Sequence, residues 1–216
     1  MSEPITHHPD GTTLLGFAAA TLAEPLAAVV ACHLSMCPQC RQDVADLEMM
    51  GGVLMASAVV PPASQASGTR RRIPAASATK PLAPARRADV LPMPLVSAYD
   101  LTFDRVPWRR LGPGVWHHRL TLRQESDGDL RLLRISAGRR MPDHGHGGSE
   151  LTLMLEGSYS DGTGVYRRGD VQDVDHDVEH QPMVGDDADC VCLIASDHPA
   201  RFKSLLARIA QPWTGL

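Results

Sequence analysis

The chain has 216 residues, 43% of them hydrophobic but only 4% aromatic, and a formal charge of -4 at pH 7. That balance fits one or two globular domains and excludes a collagen, a coiled coil or wholesale disorder. It also offers no broad basic field for phosphate backbones, so direct nucleic-acid binding is not expected and a protein or small ligand is the expected partner.

In chain order, residues 11 to 56 are rich in Ala, Leu and Val with helical periodicity. The run "LLGFAAATLAEPLAAVVACHL" invites comparison with a membrane span, but it carries Glu24 and Pro25 at its middle and is mostly Ala. It lacks the basic flank and cleavage site of a signal peptide, so a cytoplasmic protein with no membrane association is expected. Thr21-x-x-Glu24 reads as a capping box, after which Leu22, Leu26, Val29, Val30 and His33 fall on one apolar stripe and turn His33 inward. Pro38 suits the first turn of a further helix with Cys37 just before it, and Cys40, Val44, Leu47, Gly51 and Leu54 continue on one face.

Residues 57 to 95 are rich in Pro, Ala, Ser and Arg, with the runs "TRRR" and "ARRAD". They read as a solvated linker, with room for a short helix. The Arg runs read as solvated charge rather than a grip on nucleic acid. From 96 to 198 the pattern changes to short segments, "VWHHRLTL", "DLRLLRIS", "ELTLMLEG", "DVQDV" and "CVCLIA", separated by "SDGD", "SDGTG" and "GDDAD". Short strands at near-regular spacing predict a small sandwich or barrel. The last stretch, 199 to 216, reads as an amphipathic helix packed outside it. The fold class expected is thus multidomain, α then β.

Five cysteines, Cys32, Cys37 and Cys40 crowded together and Cys190 and Cys192 two apart, are an odd number in a chain that shows no export signal, which argues against a disulfide scaffold. Metal or redox use is the better reading. His33, Cys37 and Cys40 have the spacing His-x3-Cys-x2-Cys, and thiolate with imidazole nitrogen suits tetrahedral Zn2+, which needs a fourth ligand. His7 and His8 are the candidates; Cys32 points about 100 degrees away from His33 on the helix. A redox Cys-x-x-Cys would follow a strand in a βαβ unit, and the residues before Cys37 are helical. A helical domain of this size has a core worth only about 3 to 5 kcal/mol, against roughly 10 to 16 kcal/mol from a structural zinc ion, so metal would decide whether it folds.

The second cluster is "HGHGGSE". His144 and His146 stand two apart and share a strand face, and Glu150 has the same parity. Two imidazoles and a carboxylate inside a barrel suit a first-row divalent metal, Zn2+ foremost with Fe, Mn or Ni as alternatives, and His180 is the expected fourth ligand from an opposing strand. Cys190 and Cys192 either line the barrel as small apolar residues or stand near the metal as oxidisable thiols.

His33, Cys37 and Cys40, preceded by the "HH" pair in a short helical domain, resemble the zinc-binding domain of bacterial anti-sigma factors, and that match favours His8 over His7. Residues 100 to 196, with G-x5-H-x-H-x3-E-x6-G beginning at Gly138, resemble the cupin superfamily; "HQP" favours His180 over His176 as the remaining ligand. Together the two halves are similar to ChrR-type anti-sigma factors. The resemblance implies a zinc-bound helical domain over 1 to 56 that sequesters an extracytoplasmic-function sigma factor. It implies a cupin over 96 to 198 that senses singlet oxygen or related oxidants, with a small molecule or oxidant as ligand. On that reading the linker can carry a sigma-contacting helix and no catalytic residue is assigned. The alternative is a metal-dependent cupin dioxygenase or isomerase with an accessory zinc domain.

Overall fold

An aspartate cap starts the first helix and prolines set the start of the two that follow. The computed structural model describes residues 4–57, 91–122, 128–198 and 201–202. Helix α1 spans Gly11–Ala18, and its N-cap Asp10 accepts a hydrogen bond from the Thr13 N–H at 2.6 Å. Helix α2 spans Glu24–Met36 with Ala23 as its N-cap, so the capping box expected at Thr21 does not form. A helix capped at Thr21 would put Pro25 beyond the first turn, where the missing N–H and the ring are both costly; starting at Glu24 places Pro25 where no intrahelical donor is needed. The Thr21 hydroxyl instead donates to the Gly16 carbonyl. Helix α3, Pro38–Ser57, starts at its proline as expected, and Cys37 between α2 and α3 is extended.

A short helix α4, Met93–Tyr99, follows the undescribed stretch and packs on α2, with Leu91 and Leu95 buried. The end of the expected linker therefore belongs to the core. The rest of that linker, 58–90, lies outside the described residues, as does 203–216, most of the expected C-terminal helix.

The β region is antiparallel. A six-stranded sheet runs in the order β1 (Arg109–Gly112), β2 (Val115–Arg119), β3 (Asp129–Ile135), β11 (Cys190–Ser196), β5 (Glu150–Glu156) and β8 (Val171–Val174). One three-stranded sheet joins β10 (Met183–Val184), β6 (Ser158–Ser160) and β7 (Val165–Arg167). Another joins β12 (Arg201–Phe202), β4 (His144–Gly145) and β9 (Glu179–His180). Arg201 and Phe202 are thus strand, paired with Gly145 and His144, where the sequence suggested helix.

The central strands are apolar on both faces because both faces are covered. Leu133, Ile135, Met154, Cys190 and Cys192 point into the barrel with Tyr159, Tyr166 and Val184. Leu130, Leu132, Leu151, Leu153, Leu155, Val191 and Leu193 point the other way and share one core with Leu26, Val29 and Val30 of α2 and Leu95 of α4. The helical zone is therefore not a free-standing module: α2 lies against β3, β5 and β11. Each Leu or Val fully buried at that seam contributes about 1.5 to 3 kcal/mol, so several together outweigh the small core of the helices alone.

The seam is pinned at the turn between β7 and β8. The buried Asp170 carboxylate accepts the N–H groups of Thr6 and His7 at 2.7 and 3.0 Å, and that of Arg167 at 2.8 Å. The Val171 N–H donates back to the His7 carbonyl at 3.1 Å. Burial alone would raise the pKa of Asp170, but the N–H groups of Arg167, Thr6 and His7 outweigh it and hold the carboxyl below its usual range. Gly169, at φ +95°, admits Ile5 so closely that a Cβ there would lie 2.7 Å from its side chain.

Asp170→Ala strands three backbone donors at a buried site and should cost about 3 kcal/mol or more. Urea unfolding measures the loss, and amide exchange at Thr6 and His7 should quicken with it. An unchanged exchange rate at those two amides would show that the turn does not hold the N-terminal segment.

Candidate metal centres

Among the described residues three groups of ligand-type side chains come together: two that are largely buried, one in the helical unit and one in the barrel, and the exposed turn Asp175, His176 and Asp177. In the first, one ligand atom from each of His8, His33, Cys37 and Cys40 lies within 4.8 Å of every other. His8 Nδ1 is 3.2 Å from Cys40 Sγ and 3.5 Å from Cys37 Sγ. The Cys40 N–H, at the start of α3, donates to Cys37 Sγ at 3.4 Å. His33 is fully buried on α2. Its Nδ1–H donates to the Gly169 carbonyl at 2.9 Å, and because a carbonyl only accepts, this fixes the tautomer and leaves the lone pair on Nε2. That Nε2 is buried without a hydrogen-bond partner, which is what a metal ligand looks like before the metal is counted.

Burial holds the His33 imidazole down at about 4, so it is neutral at physiological pH. The Cys40 thiol is pushed up to about 12, first by burial and then by Cys37 beside it. His7 is not in the cluster. Its ring lies on Tyr166, with centroids 4.4 Å apart. Cys32 is buried toward α4, and burial pushes its thiol up to about 12.

In the barrel, His144, His146, Glu150 and His180 form the second group, again with one ligand atom each within 4.8 Å of the others. His144 and His180 are partners across the β4–β9 pair, and Glu150 opens β5 after the Gly147–Gly148 turn. His146 Nε2 and His180 Nε2 are 3.2 Å apart, and His146 Nδ1 is 3.4 Å from Glu150 Oε2. Burial works against the Glu150 carboxylate, but the imidazoles of His146, His144 and His180 hold its pKa below the usual value. His176 lies apart, exposed on the turn Asp175–Asp177.

Residue spacing does not reveal Asp161. The stretch "SDGTG" reads as a turn, and only the folded chain carries the Asp161 carboxylate back to His180, whose Nδ1–H donates to Oδ2 at 2.7 Å. Asp161 also accepts the Thr163 N–H and hydroxyl at 2.8 and 2.6 Å and the Gln172 amide at 2.7 Å. Burial alone would raise its pKa, but these hydrogen bonds bring it down to about 2, so the group is ionised and accepts only. An imidazole that gives its Nδ1–H to a carboxylate has its Nε2 lone pair directed and strengthened, the usual support for a metal-bound histidine. Cys190 and Cys192 are both buried inside the barrel, and Cys192 feels the Glu150 charge; the neighbouring Cys190 and burial push its thiol well up.

A barrel with a buried His/Glu cluster, carrying helices with a second His/Cys cluster seated on its outer face, defines a two-site cupin-type protein rather than a lone barrel. A model of the ChrR cupin-like domain matches residues 98–200. The whole chain is 39% identical over 213 residues to the anti-sigma-E factor ChrR of Cereibacter sphaeroides, covering 97% of this chain and 98% of that protein. Its structure is similar to that of ChrR in the crystal structure of Rhodobacter sphaeroides SigE in complex with the anti-sigma ChrR. The TM-score is 0.74 and the identity 36%, over 90% of this chain and 100% of that one. The chain belongs to the ChrR family of anti-sigma factors. Among the described residues, no helix is long and apolar enough to cross a membrane.

Two measurements follow from the geometry. Metal entering the helical cluster must displace the Cys40 proton, whereas His33 has none to lose above about pH 5, so affinity should rise at least about tenfold per pH unit between pH 6 and 8. Chelator competition reads this directly, and a flat profile would exclude Cys40 as a ligand. Asp161→Asn should lower metal affinity of the barrel by roughly 10- to 100-fold with the fold retained; an unchanged affinity would mean that His180 does not bind metal through the orientation described.

Proposed function

We propose that the chain binds and inhibits an extracytoplasmic-function sigma factor in the cytoplasm and releases it in response to singlet oxygen or related oxidants. The observation that carries this reading is the whole-length likeness to a protein named as an anti-sigma-E factor, over both the helical and the barrel regions. The helical unit, residues 1–56, is assigned the inhibition, and the barrel, residues 96–198, the sensing.

The metal ligands proposed are His8, His33, Cys37 and Cys40 in the helical unit, for Zn2+, whose preference for four nitrogen and sulfur donors the set matches. In the barrel they are His144, His146, Glu150 and His180, for a divalent metal, Zn2+ foremost. Metal in the first site ties the segment before α1 to the α2–α3 corner. Metal in the second would compensate the charge of the buried Glu150 carboxylate. The chain's own contribution is to hold these donors ready, with Gly169 and Asp161 setting the tautomers of His33 and His180.

The surface that would meet sigma is the second half of α3. Met49, Met50, Val53, Leu54 and Met55 are all exposed there, Leu54 at 71% and Met55 at 78%. Residues 49, 50, 53 and 54 share one helix face, and a contiguous apolar face of this kind marks a site of protein association. Release needs a signal that distinguishes the bound from the free state by about 3 to 5 kcal/mol, since an equilibrium moves only by a difference in free energy between its states.

Co-expression with an extracytoplasmic-function sigma factor and affinity capture tests the proposal. Sigma retained on the tagged chain, and lost on Cys37→Ser with Cys40→Ser, is the expected result. Absence of sigma together with oxygen uptake on a diketone or flavonoid would favour the dioxygenase reading. Val53→Asp with Leu54→Asp should weaken sigma binding by at least about 30-fold, as central interface residues do, without moving zinc content or melting temperature. Binding unaltered by that pair would remove α3 from the interface.

A further inference from the structure

The polar groups around Asp161 form a chain with only one possible proton arrangement, and it ends at the N-terminal segment. Asp161 is ionised, so the single Thr163 hydroxyl proton goes to its Oδ1. The Thr163 oxygen then only accepts, taking the Gln172 amide at 2.9 Å and the Tyr166 hydroxyl at 2.8 Å. Gln172 in turn accepts the Tyr159 hydroxyl at 2.7 Å, and the Tyr159 ring stacks on Tyr166 with centroids 5.1 Å apart. Every donor in this set has an acceptor, and the Tyr166 ring is fixed from two sides.

The His7 ring rests on the Tyr166 ring, and its backbone is held on both sides by Asp170 and Val171. Space there is closed: a Cβ on Gly164 would come within 2.9 Å of His7 Nε2. The next residue is His8, whose Nδ1 reaches the sulfurs of Cys37 and Cys40. From one cluster to the other the path is His180, Asp161, Thr163, Tyr166, His7, His8, with no gap wider than a hydrogen bond or a ring contact.

We propose that Tyr166 and His7 are positioning residues that couple the two metal sites, so that the state of the barrel site sets the affinity of the helical site. The inference rests on the metal-binding reading of both clusters. It extends that reading by naming the residues that carry a change at His180 to His8. The coupling is reciprocal, as any linkage between two binding equilibria must be. It gives the sensing half of the molecule a physical route to the inhibiting half through a closely packed set of rings rather than through the stretch between residues 57 and 91.

Cobalt tests it without any sigma factor. Thiolate-to-cobalt charge-transfer absorption reports the helical site, because the four barrel ligands include no thiolate. Co2+ is titrated into the full chain and into Glu150→Gln and His144→Ala, two independent ways of disabling the barrel site. Each is repeated with Tyr166→Phe, which keeps the ring and loses the hydrogen bond to Thr163, and with His7→Ala. Gly164→Ala, whose Cβ would crowd the His7 ring at 2.9 Å and meet the Tyr166 ring only at ordinary van der Waals distance, 3.7 Å, serves as a third perturbation should either of the first two unfold.

In the parent chain, disabling the barrel should weaken Co2+ at the helical site by at least about fivefold, the low end of ordinary site-to-site coupling. With Tyr166 or His7 replaced, or Gly164 if one of those variants unfolds, the ratio should fall to about twofold or less. A parent ratio below about twofold, or the parent's ratio persisting in a folded variant, overturns the proposal. A chain that binds no sigma factor but shows the ratio loses the function proposed above and keeps the coupling; one that captures sigma but lacks the ratio loses the coupling alone.

Discussion

Much of this molecule depends on the two-residue seat at Gly169 and Asp170. The Gly169 carbonyl receives His33 from α2, and the Asp170 carboxylate receives the backbone of Thr6 and His7. A buried carboxylate is costly unless its oxygens are filled, and here they are filled largely by a segment more than 160 residues away in sequence. The same turn therefore stabilises the barrel edge and dictates where the N-terminal segment lies. With that segment fixed, His8 is delivered to Cys37 and Cys40.

This arrangement gives the barrel a hand in both clusters. Asp161 orients His180 inside the barrel, and Gly169, at its outer edge, orients His33 of the helical cluster. A histidine ligand is only as good as the acceptor that fixes its other nitrogen, and both acceptors belong to the β region. The helical cluster is thus assembled from the helices and the segments that flank them but oriented in part from the barrel. The shared apolar seam reinforces this, because α2 buries Leu26, Val29 and Val30 against leucines of β3, β5 and β11 that would otherwise face water.

The exposed half of α3 stands against this background as the part of the described helices left without a partner. Its first turns bury Cys40 and Val44, whereas Leu47 is half-buried and Gly51 and Leu54 are exposed, so the apolar face expected to run the full helix is covered only where α1 and α2 reach it. Periodicity identifies a face that wants covering; it does not say whether the cover is the same chain or another.

What the sequence determined by itself are the features carried by local spacing. Pro38 and the Cys-x-x-Cys at the start of α3, His33 on the apolar stripe of α2, the His-x-His of "HGHGGSE" and the five main strands depend on neighbours a few residues away, and periodicities of 3.6 and 2 make them legible. Tertiary structure alone decided the docking of α2 on the barrel, the seat of the His7 ring on Tyr166, and the roles of Asp161 and Asp170. Each of these rests on a contact between segments far apart in the chain. A polar side chain in a turn looks the same in sequence whether it faces water or folds inward to hold a ligand, and only the folded environment distinguishes the two.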